Sequence, residues 1–119
     1  MFEILLAFSD HQLQGEWTEV HPGVRYESTE YPLMAAFFLN SEGNPSLAVG
    51  FHGEYALSDT ISAFGEIGGA TGYSGGPVIP FGRAGFEYSD MGRLFVAPAM
   101  NTDGDIGTVV GVELILARF

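Results

Sequence analysis

The sequence predicts an all-β fold, a single antiparallel up-and-down β-barrel of about eight strands occupying residues 1–119. Three observations predict it. Seventeen glycines and six prolines interrupt the chain too often for a helical period of 3.6 to survive. Apolar or alternating runs recur between turn-forming clusters at the short spacing of a sandwich or barrel. The runs number eight, and an even number of antiparallel strands brings the last beside the first, which closes a sheet without leaving edges. A two-sheet sandwich is the competing architecture.

In chain order the strands are expected at about 2–9, 22–28, 33–40, 46–57, 60–72, 77–88, 93–100 and 107–118. Residues 10–21 form the one long connection that is not a tight turn. Ser41-Glu42-Gly43-Asn44-Pro45 and Ser58-Asp59 end the third and fourth strands. Ser74-Gly75-Gly76-Pro77 and Ser89-Asp90-Met91-Gly92 flank the sixth, and Asn101-Thr102-Asp103-Gly104-Asp105 precedes the last. Glycine, proline, asparagine, aspartate and serine dominate these clusters because they reach the dihedrals that turns require or bond their own backbone.

Alternation is clearest over 46–57, where Leu47, Val49, Phe51, Tyr55 and Leu57 share one face and Ser46, Ala48, Gly50, His52, Glu54 and Ala56 the other. The sixth strand opposes Val78, Pro80, Ala84, Phe86 and Tyr88 to Ile79, Phe81, Arg83 and Glu87. The eighth opposes Val110, Val112, Leu114 and Leu116 to Gly111, Glu113 and Ala117. This pattern has two senses. In a soluble barrel the large apolar face fills the interior and His52, Glu54, Arg83 and Glu113 are solvated. In a transmembrane barrel the apolar face meets lipid and the small and polar side chains line the lumen. Composition and the shortness of 22–28 and 93–100 favour the soluble sense. Tyr31, Tyr55, Tyr73 and Tyr88, all at expected strand ends, favour the other, as an interfacial girdle.

Composition excludes several classes. Fifteen acidic residues against four arginines, with no lysine, give a net charge of −11, which excludes binding to a nucleic-acid backbone. Without cysteine there is no disulfide, thiolate metal site or thiol catalysis. The first residues, Met1 to Phe8, carry an acid and too short an apolar run for a signal peptide. The protein is therefore either not exported or begins at its mature end, which leaves the outer membrane, the cytoplasm and a virion as compartments. Oligomeric state is not legible.

Candidate chemistry falls in four places. Ser41, in the Asn40–Ser46 turn, is the leading candidate nucleophile, with His21 or His11 as its general base. His11, His21 and their neighbouring acids lack the spacing of a metal site, and no cofactor or metal is expected. Asn101 to Asp105 begins like a calcium loop, but Ile106 stands at the glycine position and Val112 where the closing acid belongs. Glu54, Glu66, Arg83, Glu87 and Glu113 form an internal charge cluster if the polar face is the lumen. The small-residue face of Ala48, Gly50, Gly68, Ala70, Gly82 and Gly85 leaves room for a ligand. A ligand there would be bordered by His52, Glu54, Glu66, Arg83, Gly68 and Gly82.

Several segments carry a family resemblance. They are His21-Pro22-Gly23-Val24-Arg25-Tyr26-Glu27, Ala36-Phe37-Phe38-Leu39-Asn40-Ser41, Leu47-Ala48-Val49-Gly50-Phe51, Pro77-Val78-Ile79-Pro80-Phe81, Phe95-Val96-Ala97-Pro98 and the terminal Arg118-Phe119. Over about 20–119 this order resembles the lipid A palmitoyltransferases and related small outer-membrane barrels that act on lipid A acyl chains. The resemblance implies Ser41 as a catalytic serine, Asn40 at the family's aspartate position and His21 or His11 as the histidine. The chain also resembles short bacteriophage proteins. The function expected is a small barrel that binds an apolar or amphipathic ligand such as a lipid acyl chain, with possible membrane association. Lipid acyl transfer or ester hydrolysis at Ser41, and a structural role in a bacteriophage, are the alternatives.

Overall fold

The computed structural model describes residues 1–11, 19–74, 76–100 and 106–119, with the side chains of 11, 99 and 100 outside that description. Eight strands, β1 (Phe2–His11), β2 (Val20–Glu27), β3 (Leu33–Leu39), β4 (Pro45–Ala56), β5 (Ile61–Ala70), β6 (Ile79–Tyr88), β7 (Gly92–Met100) and β8 (Ile106–Arg118), follow one another around the wall. Each pairs antiparallel with its chain neighbours, and β1 also pairs with β8, so the sheet is a closed barrel. The expected strands are all present, and the sandwich is excluded by the β1–β8 ladder, which runs from Glu3–Arg118 to His11–Val109 with one bulge at Ile4/Leu5.

The sense of the barrel is the reverse of the soluble expectation. Leu47, Val49, Phe51, Tyr55 and Leu57 face outward, as do Val24, Phe37, Ile67, Phe86, Leu94, Val110, Val112 and Leu114. Among the described residues, twenty-eight large hydrophobic side chains are exposed, whereas the buried apolar set is Leu5, Ala7, Met34, Ala48, Phe64, Ala70 and Val109. A water-soluble fold of this size needs the opposite partition, because burial of large apolar side chains is its main driving force. The physical cause is side-chain volume. The inner face carries the charged side chains of seven strands, small residues, and a few large apolar ones such as Leu5, Met34, Phe38 and Phe64, which is as much as fits around four arginines inside an eight-stranded wall.

The intervals between strands differ at the two ends of the barrel. At the end that holds both termini the strands are joined across residues 28–32, 57–60 and 89–91. At the other end the joins cover 12–19, 40–44, 71–78 and 101–105, and the longest of these exceed any join at the terminal end. The residues of the calcium-loop reading, 101–105, lie outside the described set, as does Trp17.

Candidate functional site

Among the described strand residues, every charged side chain except Asp10 is turned to the inside of the wall. All four arginines of the chain turn inward and each meets carboxylates there. Arg25, 1% exposed, donates to Glu3 (3.3 Å), Glu27 (2.7 Å) and Glu66. Arg93 donates to Glu87 (2.7 Å), Glu113 (2.6 Å) and both oxygens of Glu3 (2.9 and 3.0 Å). Arg83 bridges Glu66 (2.6 Å) and Glu113 (3.0 Å), and its guanidinium lies over the rings of Phe64 and Phe95. Arg118 reaches Glu3 and, at the rim, the exposed Asp90. His52 completes the network, with Nε2 2.6 Å from Glu54 and Nδ1 2.7 Å from Glu66. Buried charges persist only when each is paired and its remaining hydrogen bonds are made, and this network meets that condition at nearly every atom. The exception among the described side chains is Arg25 Nε.

These charges occupy the half of the lumen nearest the termini. The other half is an apolar cavity of about 530 Å³. Leu5, Ala7, Met34, Ala36, Phe38, Ala48, Ala70, Phe81, Ala97 and Val109 form its walls, and Arg25, Glu66, Arg83 and Glu113 its floor. The volume lies within the range of small-molecule sites, roughly 300–1,000 Å³. Small residues on the inner face make the space. Ala48 pairs with Ala70 across β4–β5, and Ala36 faces Ala48 across β3–β4. Gly50 and Gly68 serve a different purpose from the one expected. A side chain at Gly68 would collide with the backbone of β4 and the Phe81 ring, so these paired glycines let strands and an aromatic ring close up rather than leaving room for a ligand. Gly82 borders the cavity through its backbone.

At the mouth, between the longer connections, stand Ser9, His21, Ser41, Glu42 and Tyr73. His21 on β2 and Ser9 on β1 both point inward, and Ser9 Oγ lies 2.6 Å from His21 Nε2. His21 Nδ1 is 2.9 Å from the Leu39 carbonyl. A carbonyl only accepts, so Nδ1 carries the hydrogen, and in the neutral imidazole Nε2 accepts from the serine hydroxyl. Ser41, the nucleophile expected from the sequence, borders the same cavity, but the hydroxyl that the imidazole engages is that of Ser9. Asn40, fully buried, shapes the turn: its Oδ1 accepts from the amides of Glu42 (2.9 Å) and Asn44 (3.1 Å), and its Nδ2 donates to Gly72 O (2.9 Å). Gly72 is left-handed (φ +85°) and packs so closely on Pro45 that only glycine fits there. Burial, reinforced by the nearby Glu42 charge, pushes the Tyr73 phenol up to about 12, so it stays neutral at the mouth. His11 belongs to β1, paired with Val109, and its side chain lies outside the described residues.

Of the residues expected to border a ligand, Glu66, Arg83 and Gly82 line the cavity, whereas His52 and Glu54 belong to the charged half beneath it. Sequence reasoning missed Ser9. It sits at an alternate position of the first expected strand, to which no chemistry was assigned, and only the β1–β2 register, with Ala7 opposite His21, brings the pair together.

No family model matches the chain, and no curated protein matches it. The resemblances to lipid A acyl-chain enzymes and to bacteriophage proteins therefore gain no support from these comparisons. Among solved structures, the chain is similar to the one described as the solution NMR structure of the de novo designed TMB2.3, at 15% identity and a TM-score of 0.58, covering 98% of this chain and 94% of that one. Likeness at that identity shows the fold alone: a small closed barrel of eight antiparallel strands.

Proposed function

We propose that this protein is a membrane-spanning barrel that holds an apolar or amphipathic chain in its lumen. The observation that carries the reading is the outer wall. Among the described residues, Asp10, at the end of β1, is the one charged side chain that a strand turns outward, and large hydrophobics dominate the rest, with small residues such as Gly53 and Gly65 between them. Along β4 and the residue that follows it the outward positions run from Leu47 to Leu57, with Gly53 the one interruption. At about 3.3 Å per residue and a tilt of about 40° they cover roughly 25 Å, the height of the apolar band of membrane barrels. Phe2, Tyr26, Tyr31, Tyr55, Tyr88 and Phe119, all exposed, ring the terminal end as an aromatic girdle does at a bilayer interface.

The lumen is divided to match. The arginine–carboxylate network plugs the terminal half, so the barrel is not a channel, and the apolar half opens between the longer connections, where an acyl chain enters from the far leaflet or the solvent beyond it. The test is native mass spectrometry of the protein folded in detergent and exposed to a mixture of fatty acids and lysophospholipids. One chain should bind per barrel, and Ala70→Phe, which fills the cavity from a fully buried wall position, should abolish binding while heat-modifiable gel migration persists. Unchanged binding in that variant would refute the luminal site.

A second reading, ester cleavage, is favoured by the Ser9–His21 contact. A serine hydroxyl bonded to an imidazole whose other nitrogen is held by a carbonyl has the arrangement of an activated nucleophile and oriented base. Ser9 Oγ would attack an acyl carbonyl entering the mouth. His21 Nε2 would take its proton and deliver it to the departing alcohol, and water would release the acid by the same path in reverse. The Ser41-centred acyl transfer expected from the sequence would use the same mouth.

A further inference from the structure

We propose that Glu27, His52 and Glu54 form a zinc site at the terminal mouth of the lumen. The three side chains come from β2 and β4, and one ligand atom of each lies within 4.8 Å of the others. His52 Nε2 is 2.6 Å from Glu54 Oε1 and 3.4 Å from Glu27 Oε1. Ligand atoms around a zinc ion, each about 2.0–2.2 Å from it, sit roughly 3–3.5 Å apart, so exchanging the proton between His52 and Glu54 for the ion requires Glu54 to move out from His52 and the three ligand atoms, now within 4.8 Å of one another, to settle at that spacing. Glu54 can make it, being at the rim with its side chain 35% exposed, and the same opening leaves a fourth position to water.

Two further observations separate this group from an ordinary solvated cluster. The first is the nitrogen ligand and its support. His52 is 6% exposed, and its Nδ1 lies 2.7 Å from the buried Glu66 carboxylate. An N–H donated to a carboxylate from the nitrogen opposite the metal fixes the ring and the tautomer, and it is the usual outer partner of a metal-bound histidine. The Phe64 ring stacks on the imidazole at 5.9 Å and holds its plane. The second is charge. Glu3, Glu27, Glu54, Glu66, Glu87 and Glu113 face the lumen, against Arg25, Arg83, Arg93 and Arg118. With a proton on each nitrogen of His52, six carboxylates face four guanidiniums and one imidazolium, which leaves one negative charge uncompensated inside a low-dielectric wall. A divalent cation that replaces the Nε2 proton removes that excess, and at this mouth Glu54 has His52 and no arginine as its ion-pair partner among the described residues. Arg25 binds Glu27 through Oε2, at 2.7 Å, which leaves Oε1 turned towards His52. Two carboxylates and one imidazole with an open position suit zinc better than calcium or magnesium, which take oxygen alone.

The site depends on the barrel and its register, not on the bilayer, so its failure would leave the membrane reading untouched. The experiment is isothermal titration of chelator-treated, folded protein in detergent with zinc chloride, beside calcium and magnesium chlorides. Zinc should bind one to one and raise the temperature at which the barrel loses its heat-modifiable migration, with no such response to the other two ions. Glu54→Gln, at the exposed rim, keeps the fold and should weaken zinc at least tenfold. Glu66→Gln should weaken it about 10- to 100-fold through the ring it orients. Absence of saturable zinc uptake by the folded wild type would overturn the proposal, and so would uptake that is the same in Glu54→Gln and Glu27→Gln as in the wild type, since those ions would then sit elsewhere.

Discussion

Replacing Phe51 with arginine tests the assignment of the outer wall more sharply than any loss of function. Phe51 is 59% exposed, in the middle of the outward row that runs from Leu47 on β4 to Leu57 just beyond its end. Six residues separate it from Leu57, which at about 3.3 Å per residue and a tilt of about 40° is roughly 15 Å of depth. That places Phe51 near the midplane of a bilayer and Leu57 at its edge. Arginine on the lipid face costs about 2–4 kcal/mol at the midplane and about 0–1 near the interface. Phe51→Arg should therefore lower the folding equilibrium constant by about 30- to 1,000-fold, at roughly 1.4 kcal/mol per tenfold, and Leu57→Arg by no more than about fivefold. The assay is urea unfolding of the protein folded into short-chain phosphatidylcholine vesicles, followed by far-UV circular dichroism and by heat-modifiable migration. If the protein sits in water, both residues are exposed surface positions and both variants fall within about 0.5 kcal/mol of the wild type or gain solubility. Equal, small effects at the two depths would refute the membrane reading.

Two further outcomes follow from the lumen. Arg93→Ala leaves Glu3, Glu87 and Glu113 without their shared cation in a fully buried site, and removal of one partner from such a network costs about 3–5 kcal/mol. Asp90→Asn removes a carboxylate that is 78% exposed from the Arg118 pair and should change stability by less than about 1 kcal/mol in the same urea titration, and a reversed order would show that the network is not the structural plug of the barrel. Ser9→Ala and Ser41→Ala, each assayed on p-nitrophenyl esters of graded chain length, separate the two nucleophiles. Ester cleavage by the wild type should be lost in Ser9→Ala and kept in Ser41→Ala, whereas cleavage surviving in Ser9→Ala would rule out the Ser9–His21 chemistry.

The strands, their order and the closure of the barrel were legible in the sequence, because turn chemistry is local and alternation with a period of two is a property of the strand itself. The 46–57 run, read as a strand with Leu47, Val49 and Phe51 on one face, is β4 with those residues on one face. Which face looks inward was not legible, since the alternation is identical in both senses and only closure decides. An eight-stranded wall has room inside for alanine, glycine and a paired set of arginines and glutamates, but not for every large apolar side chain that this chain carries. The charge cluster was visible as a list of residues on one face, yet the partners of each arginine come from strands far apart in sequence, as Glu3 and Arg93 do, and are set by the staggered register of the ladders. The site at the cavity mouth depended on that register most of all. Ser9 and His21 are separated by a connection whose length says nothing of their contact, and they meet because β1 and β2 pair with Ala7 opposite His21, which sets the Ser9 hydroxyl beside the imidazole.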